Sequence, residues 1–332
     1  MMKRSITGLA AFLAAALLGG QVAAAQAIIT NGTVKLGVDE FGQLNIPGGR
    51  LSGTGSTTIV GLRFIDSRGT EWESTADGCL CEGWGVGVVG GLFDGVRGYA
   101  NNSAGIAGLT GVSFTSTATG AVSVVRIGTT FEITHDYHPS AVPNLYEVTV
   151  SIKNISGVNV DGDVRYRRLM DWDIEPTAFS ELVTLQGWPA ATLIHSTDNG
   201  FCSADVLSPC FERTAGHTDG NFTKSGPADH GAQFDFSFGT LAAGESHSFT
   251  TFFGAAATES ELLAALTAVG AEIYSMAFCS SDPRCPAAHA YGFKGVGGTV
   301  IGGAVPEPAT MGLLALGLVS LGAAGVRRRN KA

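Results

Sequence analysis

Apolar and polar residues alternate along much of the chain between residues 28 and 304. In several stretches an apolar residue, often Val, Ile or Phe, recurs at every second position. A period of two with this enrichment is typical of half-buried strands. The pattern predicts strands at residues 122–127, 131–135, 146–153, 164–174, 233–238 and 246–253. Because a turn-like Leu-Ala-Ala-Gly-Glu segment separates the last two, we expect them to form a hairpin.

One segment has the period of a helix instead. Thr258 and Glu261 have the spacing of a capping box, and apolar residues follow at helical intervals from Leu262 to Ile273. This pattern predicts an amphipathic helix over residues 259–276. The 47 glycines of the chain favour short strands joined by turns elsewhere. The expected fold class is therefore mainly β, an antiparallel β-sandwich-like domain with one amphipathic helix.

The N-terminus has the parts of a secretory signal peptide. Two basic residues and an apolar stretch (3–20) precede Ala25-Gln26-Ala27, which has the small-x-small pattern of a cleavage site. We expect a signal peptide at residues 1–27, cleaved after Ala27. Cleavage after Ala25 and an uncleaved membrane anchor are the alternatives. In each case the chain that follows is expected to be exported.

The C-terminus has three parts in a fixed order. An extended motif comes first, then the uncharged segment 309–326, and then a basic end at 327–332. The motif is Val305, Pro306, Glu307 and Pro308, and the basic end begins with Arg327, Arg328 and Arg329. A helix rises about 1.5 Å per residue, so the uncharged segment is just long enough to cross a bilayer. We expect a transmembrane helix there, stopped by the arginines on the cytoplasmic side.

This C-terminal tail, residues 305–332, resembles the PEP-CTERM sorting signal of Gram-negative bacteria. The resemblance implies an exosortase-type transpeptidase as the processing partner. It also implies a setting in exopolysaccharide production, which makes exopolysaccharide a candidate partner. With the signal peptide, the tail predicts a precursor anchored in the inner membrane, with the body (residues 28–304) on the periplasmic side. The expected final place is the cell surface or the extracellular matrix.

The body is strongly acidic once its targeting ends are set aside. The two ends hold six of the 20 Lys and Arg residues and one of the 29 Asp and Glu residues. The body therefore carries 14 basic and 28 acidic side chains, a formal charge of −14. Such a surface repels phosphate backbones, so nucleic acid is excluded as a partner. It also supplies carboxylates, the ligands that divalent cations such as Ca²⁺ prefer.

The six cysteines form three local pairs along the chain. An exported protein meets an oxidising compartment, so disulfides are the expected state. The local pairs are Cys79 with Cys81, Cys202 with Cys210, and Cys279 with Cys285. A bond across one intervening residue closes a small, strained ring, so longer-range pairing for one cysteine of the first pair stays an alternative.

The most suggestive acidic motif is Asp171-Trp172-Asp173-Ile174-Glu175. Residues two apart share a face of a strand, so Asp171, Asp173 and Glu175 are expected to lie together. Neighbouring carboxylates repel, and a calcium ion or a role as a glycosidic carboxylate pair would account for them. The alternative is a structural ion network with nearby arginines, which are Arg165, Arg167 and Arg168.

Two further residue groups carry weaker signals. Tryptophan rings near Gly or Pro could form a sugar-stacking face, although Trp is more often buried in a sandwich. These rings are Trp72, Trp84, Trp172 and Trp188. The second group is the histidines beside acids, namely His135 and His138 around Asp136 and the pair Asp229-His230. Turn or core roles are the simpler interpretation for these.

Together these features favour a non-enzymatic exported surface or matrix protein, sorted by an exosortase-type system and associated with glycan. Two alternatives remain at this point. One is a carbohydrate-active enzyme that uses the acids between Asp171 and Glu175. The other is an adhesion module stabilised by Ca²⁺, the one cofactor that the sequence suggests. Common nucleophile-elbow, phosphate-loop and His-Glu-x-x-His motifs do not occur in the chain.

Overall fold

A computed structural model describes residues 25–280 and 285–301. The predicted signal peptide before Ala25 lies outside these residues. So do the motif Val305–Pro308, the expected transmembrane segment 309–326 and the basic end. Within the described ranges, no helix is long and apolar enough to span a membrane.

The described residues form three antiparallel sheets and one helix. The smallest sheet has four strands in chain order, β1 (Gln26–Thr30), β2 (Val34–Asp39), β3 (Leu62–Ile65) and β4 (Glu71–Glu73). Ala27 pairs with Val38 in β1–β2, so cleavage after Ala27 would remove the first two residues of β1. Cleavage after Ala25 would leave the strand whole.

A six-stranded sheet carries the motif that the sequence singled out. Its spatial order is β14 (Leu193–Thr197), β16 (Gly231–Ser237), β12 (Asp163–Asp171), β5 (Gly83–Val89), β6 (Arg97–Asn101) and β7 (Gly105–Ala107). The strand predicted at 164–174 ends at Asp171. Beyond it the backbone leaves the sheet, because the N–H of Asp173 bonds to Ser74 and that of Glu175 bonds to Glu73.

The largest sheet has nine strands. Their spatial order is β15 (Phe222–Ala228), β13 (Glu181–Gln186), β18 (Ile273–Cys279), β19 (Ala288–Lys294), β17 (Ser246–Ala256), β11 (Leu145–Asn154), β10 (Phe131–Pro139), β9 (Ala121–Ile127) and β8 (Thr110–Ser116). Rings of the six-stranded and nine-stranded sheets meet in a common core, where Phe236 lies 4.8 Å from Phe293 between ring centres. The predicted antiparallel, mainly β architecture is confirmed.

The expected hairpin between residues 233–238 and 246–253 is wrong. The two strands exist as β16 and β17, but they belong to different sheets. The connection crosses from one sheet to the other and is fixed by backbone bonds between Val160 and Leu241. The apolar–polar alternation located both strands correctly. It could not identify their pairing partners, because a strand shows the same alternation in either sheet.

The helix is shorter than predicted. Helix α1 (Glu259–Ala268) begins with Thr258, whose side chain accepts a hydrogen bond from the Glu261 N–H, as the capping box requires. It ends at Ala268, because Gly270 takes a positive φ of 72° that terminates helices. Ile273, the last apolar residue of the predicted helix, starts β18 instead. The buried side chains of Leu262 and Leu266 pack α1 against β17 and β19.

Candidate metal centre

The arginines of β12 do not neutralise the acids that follow them. Arg167 donates to Asp235 at 2.7 Å, and Arg165 donates to Asp163 at 2.7 Å. Arg168 pairs with Glu82, and both side chains of that pair are fully buried. The structural ion network proposed for this motif is therefore wrong, because each guanidinium is committed to another carboxylate.

Glu175 also leaves the predicted acidic group. Its carboxylate accepts hydrogen bonds from the hydroxyls of Ser52, Thr54 and Ser56 and from the backbone N–H of Glu73. Burial is the largest single influence on the pKa of Glu175 and raises it, but the hydrogen bonds together outweigh burial, so the pKa is lowered. Glu175 is thus a satisfied carboxylate that ties the end of the motif to the four-stranded sheet.

A different aspartate completes the group. Asp171, Asp173 and Asp229 each place one carboxylate oxygen so that all three atoms lie within 4.8 Å of one another. Asp229 reaches this place because Gly231, two residues later, pairs with Asp171 in the β12–β16 ladder. The sequence did single out Asp229, but only for its weak pairing with His230. We call Asp171, Asp173 and Asp229 the acidic cluster.

A fourth carboxylate comes from the opposite sheet. Glu181 starts β13 and pairs with Ala228, the residue before Asp229. Asp229 lies in the connection that carries the chain from β15 in one sheet to β16 in the other. The cluster therefore sits where the two large sheets exchange a chain, with Asp171 from one sheet and Glu181 from the other beside that crossing.

Carboxylate oxygens around the cluster lack protein partners. Asp171, Asp173 and Glu181 are at most 1% exposed. The Oδ1 atoms of Asp171, Asp173 and Asp229 accept no hydrogen bond from residues 25–280 or 285–301. Neither oxygen of Glu181 accepts one of good geometry, although the backbone N–H groups of Phe179, Ser180 and Glu181 are near enough to oppose the rise in its pKa. A buried oxygen without a donor costs on the order of 1–3 kcal/mol, so several together call for a bound positive charge.

Burial and mutual repulsion alter the acidity of these groups. Desolvation and, after it, the negative charge of Asp173 raise the pKa of Asp171 to about 9. Desolvation likewise raises the pKa of Glu181 to about 8 and that of Asp173 to about 7, although the Gly78 N–H opposes the rise at Asp173. The carboxylates cannot all ionise near neutral pH unless a cation joins them.

Protein cations near the cluster are sparse among the described residues. Arg213 lies 3.6 Å from Asp229, and both side chains are about two-fifths exposed. The charge of Arg213 lowers the pKa of Asp171, but this effect is smaller than that of burial and smaller than that of each of three carboxylates, all of which raise the pKa. One half-exposed guanidinium does not offset four acidic side chains, three of them buried.

Gly78 and Cys79 border the acidic cluster. The N–H of Gly78 donates to Asp173 Oδ2 at 3.0 Å. A Cβ on Gly78 would lie 2.7 Å from Asp173 Oδ1 and 2.7 Å from the Phe179 ring, so a side chain here would fill the site. Cys79 Sγ lies 3.2 Å from Asp171 Oδ2.

All six cysteines lie at disulfide distance in three local pairs. The pairs are Cys79–Cys81, Cys202–Cys210 and Cys279–Cys285. No free thiol is left to act as a metal ligand among the described cysteines. The donor set at the cluster consists of oxygen atoms.

The tryptophans are buried or partly buried, the commoner case for a sandwich, and do not form the alternative sugar-stacking face. Trp84 and Trp172 are fully buried, and their indole N–H groups donate to Phe41 O and Ser275 Oγ. Trp72 and Trp188 are partly buried against the core. The exposed aromatic ring beside the cluster is instead Phe179, which is 53% exposed.

Residues 304–329 match the family model described as the PEP-CTERM protein-sorting motif. The motif marks the chain as an exported protein with a C-terminal membrane-anchored sorting signal, and it implies processing by exosortase. The match covers the tail alone, and no named family covers the body. No curated protein matches the chain.

Two solved structures overlap the body at low similarity. One is a galactose mutarotase related enzyme from Lactobacillus acidophilus, at 9% identity over 82% of this chain and 86% of that chain, with a TM-score of 0.28. The other is a protein described as a candidate aldose 1-epimerase from Escherichia coli K12, at 12% identity over 83% and 93%, with a TM-score of 0.28. Overlaps at this TM-score do not establish a shared fold or activity.

Proposed function

We propose that this chain is an exported, non-enzymatic surface or matrix protein whose body holds a divalent cation at the acidic cluster. The observation that carries the proposal is the convergence within 4.8 Å of carboxylate oxygens of Asp171, Asp173 and Asp229, whose Oδ1 atoms accept no hydrogen bond from the described residues. A cation bridging these groups would replace the missing donors and would tie the end of β12 to the connection between β15 and β16. The ion would then stabilise the folded body outside the cell.

Calcium fits the donors better than the common alternatives. The cluster offers carboxylate oxygens, and its disulfide-paired cysteines supply no thiolate. Hard oxygen ligands suit Ca²⁺ and Mg²⁺, whereas Zn²⁺ sites are built mainly from His and Cys. Calcium takes six to eight oxygens in flexible geometry, so carboxylates from separate elements with water can satisfy it.

The carbohydrate-active enzyme ranks second. A general acid or nucleophile must come within hydrogen-bond reach of the substrate. Asp171 and Asp173 are at most 1% exposed, which suits a small ion better than the acetal of a sugar ring. If Asp173→Asn abolished release of reducing ends from a polysaccharide while the variant stayed folded, the enzyme interpretation would replace ours.

The cation proposal is tested by thermal unfolding of the purified mature protein in Ca²⁺ and in chelator. A ligand present at about 100 times its Kd stabilises the folded state by about 2.7 kcal/mol. We expect a higher Tm in Ca²⁺ that saturates with concentration, and calorimetric titration with one ion per chain. Asp173→Asn should lose this response. Asp136→Asn, a matched change on β10 away from the cluster, should keep it.

The cation proposal fails if the melting curves in Ca²⁺ and in chelator coincide. It also fails if Asp173→Asn and Asp136→Asn respond to Ca²⁺ in the same way. A response to Zn²⁺ but not to Ca²⁺ or Mg²⁺ would contradict the oxygen donor set.

We further propose that the precursor sits in the inner membrane with its body on the periplasmic side, and that processing leads to the cell surface or matrix. The support is the tail match at residues 304–329. Replacing Pro306, Glu307 and Pro308 by alanine should leave a membrane-bound precursor, seen as a larger band in the membrane fraction. The matched control, Gly302→Ala with Gly303→Ala, should be processed normally. Normal processing of the triple variant would reject the sorting role.

A further inference from the structure

An exposed aromatic ring stands at the rim of the acidic cluster. Phe179 has a φ of 71°, in the left-handed region that non-glycine residues rarely adopt, and its side chain is half exposed. Its ring and the Asp173 carboxylate are each 2.7 Å from the point where a Cβ on Gly78 would stand. The ring therefore directly neighbours a cluster carboxylate and keeps a face available to solvent.

A positioned guanidinium stands beside another cluster carboxylate. Arg213 lies 3.6 Å from Asp229, and its guanidinium carbon lies 4.2 Å from the centre of the Phe201 ring. Stacking on an aromatic ring orients an arginine without using its N–H donors. Arg213 and Asp229 are both about two-fifths exposed, so this is the side on which a ligand could reach the ion.

We propose that this rim binds a carboxylated sugar, such as a uronic acid residue of an anionic polysaccharide. The inference rests on the proposed cation. The sugar carboxylate would bind the open side of the ion and the Arg213 guanidinium, while the C–H face of the ring would pack on Phe179. The half-buried Asp77 carboxylate, which precedes Gly78 and already accepts from Ser56 Oγ at 2.5 Å, would accept a bond from a sugar hydroxyl.

The chemistry of the rim favours a sugar over other anions. A pyranose offers both an apolar C–H face and several hydroxyl donors, which match a phenyl ring set among carboxylate acceptors. An acidic peptide offers carboxylates but few hydroxyl donors. The body has a formal charge of −14, so a polyanion is repelled except where the ion and Arg213 act together. Binding should therefore depend on the cation and weaken with salt.

The buried Glu181 carboxylate supports the ion on which this proposal depends. Glu181 is fully buried, no side chain of the described residues donates to its carboxylate, and its charge raises the pKa of Asp171. It lies outside the three aspartates whose oxygens converge. Glu181 thus adds a buried negative charge beside the three converging oxygens, and the exposed side near Asp229 remains for a ligand.

The test is equilibrium binding of the mature protein to polygalacturonate, with dextran as the neutral polymer and poly-glutamate as the acidic peptide. We expect binding to polygalacturonate in Ca²⁺ and loss of binding in chelator. Phe179→Asn removes the ring while tolerating the left-handed backbone, and Arg213→Gln removes the guanidinium. Each should weaken binding about tenfold, equivalent to about 1.4 kcal/mol. Leu92→Ala and Arg126→Gln, exposed changes elsewhere, should not.

The outcomes separate this inference from the cation proposal. Both rim variants should keep the rise in Tm with Ca²⁺. If the wild-type protein shows that rise but does not bind polygalacturonate, the sugar inference fails and the cation proposal stands. If the rise itself is missing, the cation proposal fails first. Equal binding of dextran or poly-glutamate, or unchanged binding by both rim variants, would also overturn the sugar inference.

Discussion

Buried charge is handled in opposite ways at two places along strand β12. In its interior, Arg168 and Glu82 are both fully buried and form an ion pair, while Leu44 N–H donates to the other Glu82 oxygen. At its end, Asp171 is equally buried, but the charged groups that influence it are other carboxylates and the partly exposed Arg213. The interior carries its own counter-ion, whereas the end needs one from outside. Burial alone therefore does not distinguish a structural charge from a ligand site; compensation does.

The largest expected effect comes from breaking the compensated pair. Arg168→Met leaves Glu82 buried without its partner, which should cost about 3–5 kcal/mol of unfolding free energy. The matched change Arg165→Met removes a partly exposed partner of Asp163 and should cost less than about 1 kcal/mol. Denaturant unfolding measures both. Equal losses would mean that the Arg168–Glu82 pair is not special.

A smaller effect of opposite sign is expected at the uncompensated end. In chelator near neutral pH the folded wild type must hold a proton on Asp171 that the unfolded chain releases, because the pKa of Asp171 is raised to about 9. Asp171→Asn removes that cost, so the variant should be more stable than the wild type by about 1–3 kcal/mol. In saturating Ca²⁺ the order should reverse, because the variant loses a ligand to the ion. Unfolding curves under both conditions test this. If the variant is less stable than the wild type in chelator, the cluster is compensated after all.

Asp229→Asn is the matched control for that change. Its carboxylate is about two-fifths exposed, so removing its charge should barely affect stability in chelator. It should still weaken the response to Ca²⁺, because the oxygen is lost from the cluster. A large stability gain in chelator would show that exposure does not explain the difference between the two aspartates.

A third buried group, His289, sharpens the contrast because it stays neutral. Burial lowers its pKa to about 4. The unfolded chain then binds a proton near pH 6.5 that the folded chain does not, so stability falls as pH drops from about 6.5 towards 4. We expect about 1 kcal/mol of extra loss between pH 6.5 and 5.5, measured as the difference between wild type and His289→Gln. Parallel pH curves would contradict it.

The central strands of the fold could be predicted from the local pattern of apolar and polar residues. Alternation predicted the central strands, since a half-buried strand repeats every two residues whatever it pairs with. The start of α1 followed from the Thr258 cap, because capping is local, but its end required the backbone turn at Gly270. The pairing of β16 and β17 with different sheets had no local signal, because register and partner depend on residues far away in the chain.

The sequence by itself was enough to identify the targeting tail, the antiparallel β character and Asp171 and Asp173 as candidate site residues. These depend on hydrophobicity, turn chemistry and charge within a few residues of one another. Only the tertiary structure showed that Asp229, and not Glu175, lies with Asp171 and Asp173. It also showed that Glu181 of the other sheet lies beside this cluster and that Arg168 pairs with Glu82. The physical reason is that a buried carboxylate is defined by which opposite charge lies within a few ångströms. The distance between a carboxylate and its nearest opposite charge depends on where the chain crosses from one sheet to the other. It cannot be read from spacing along the sequence.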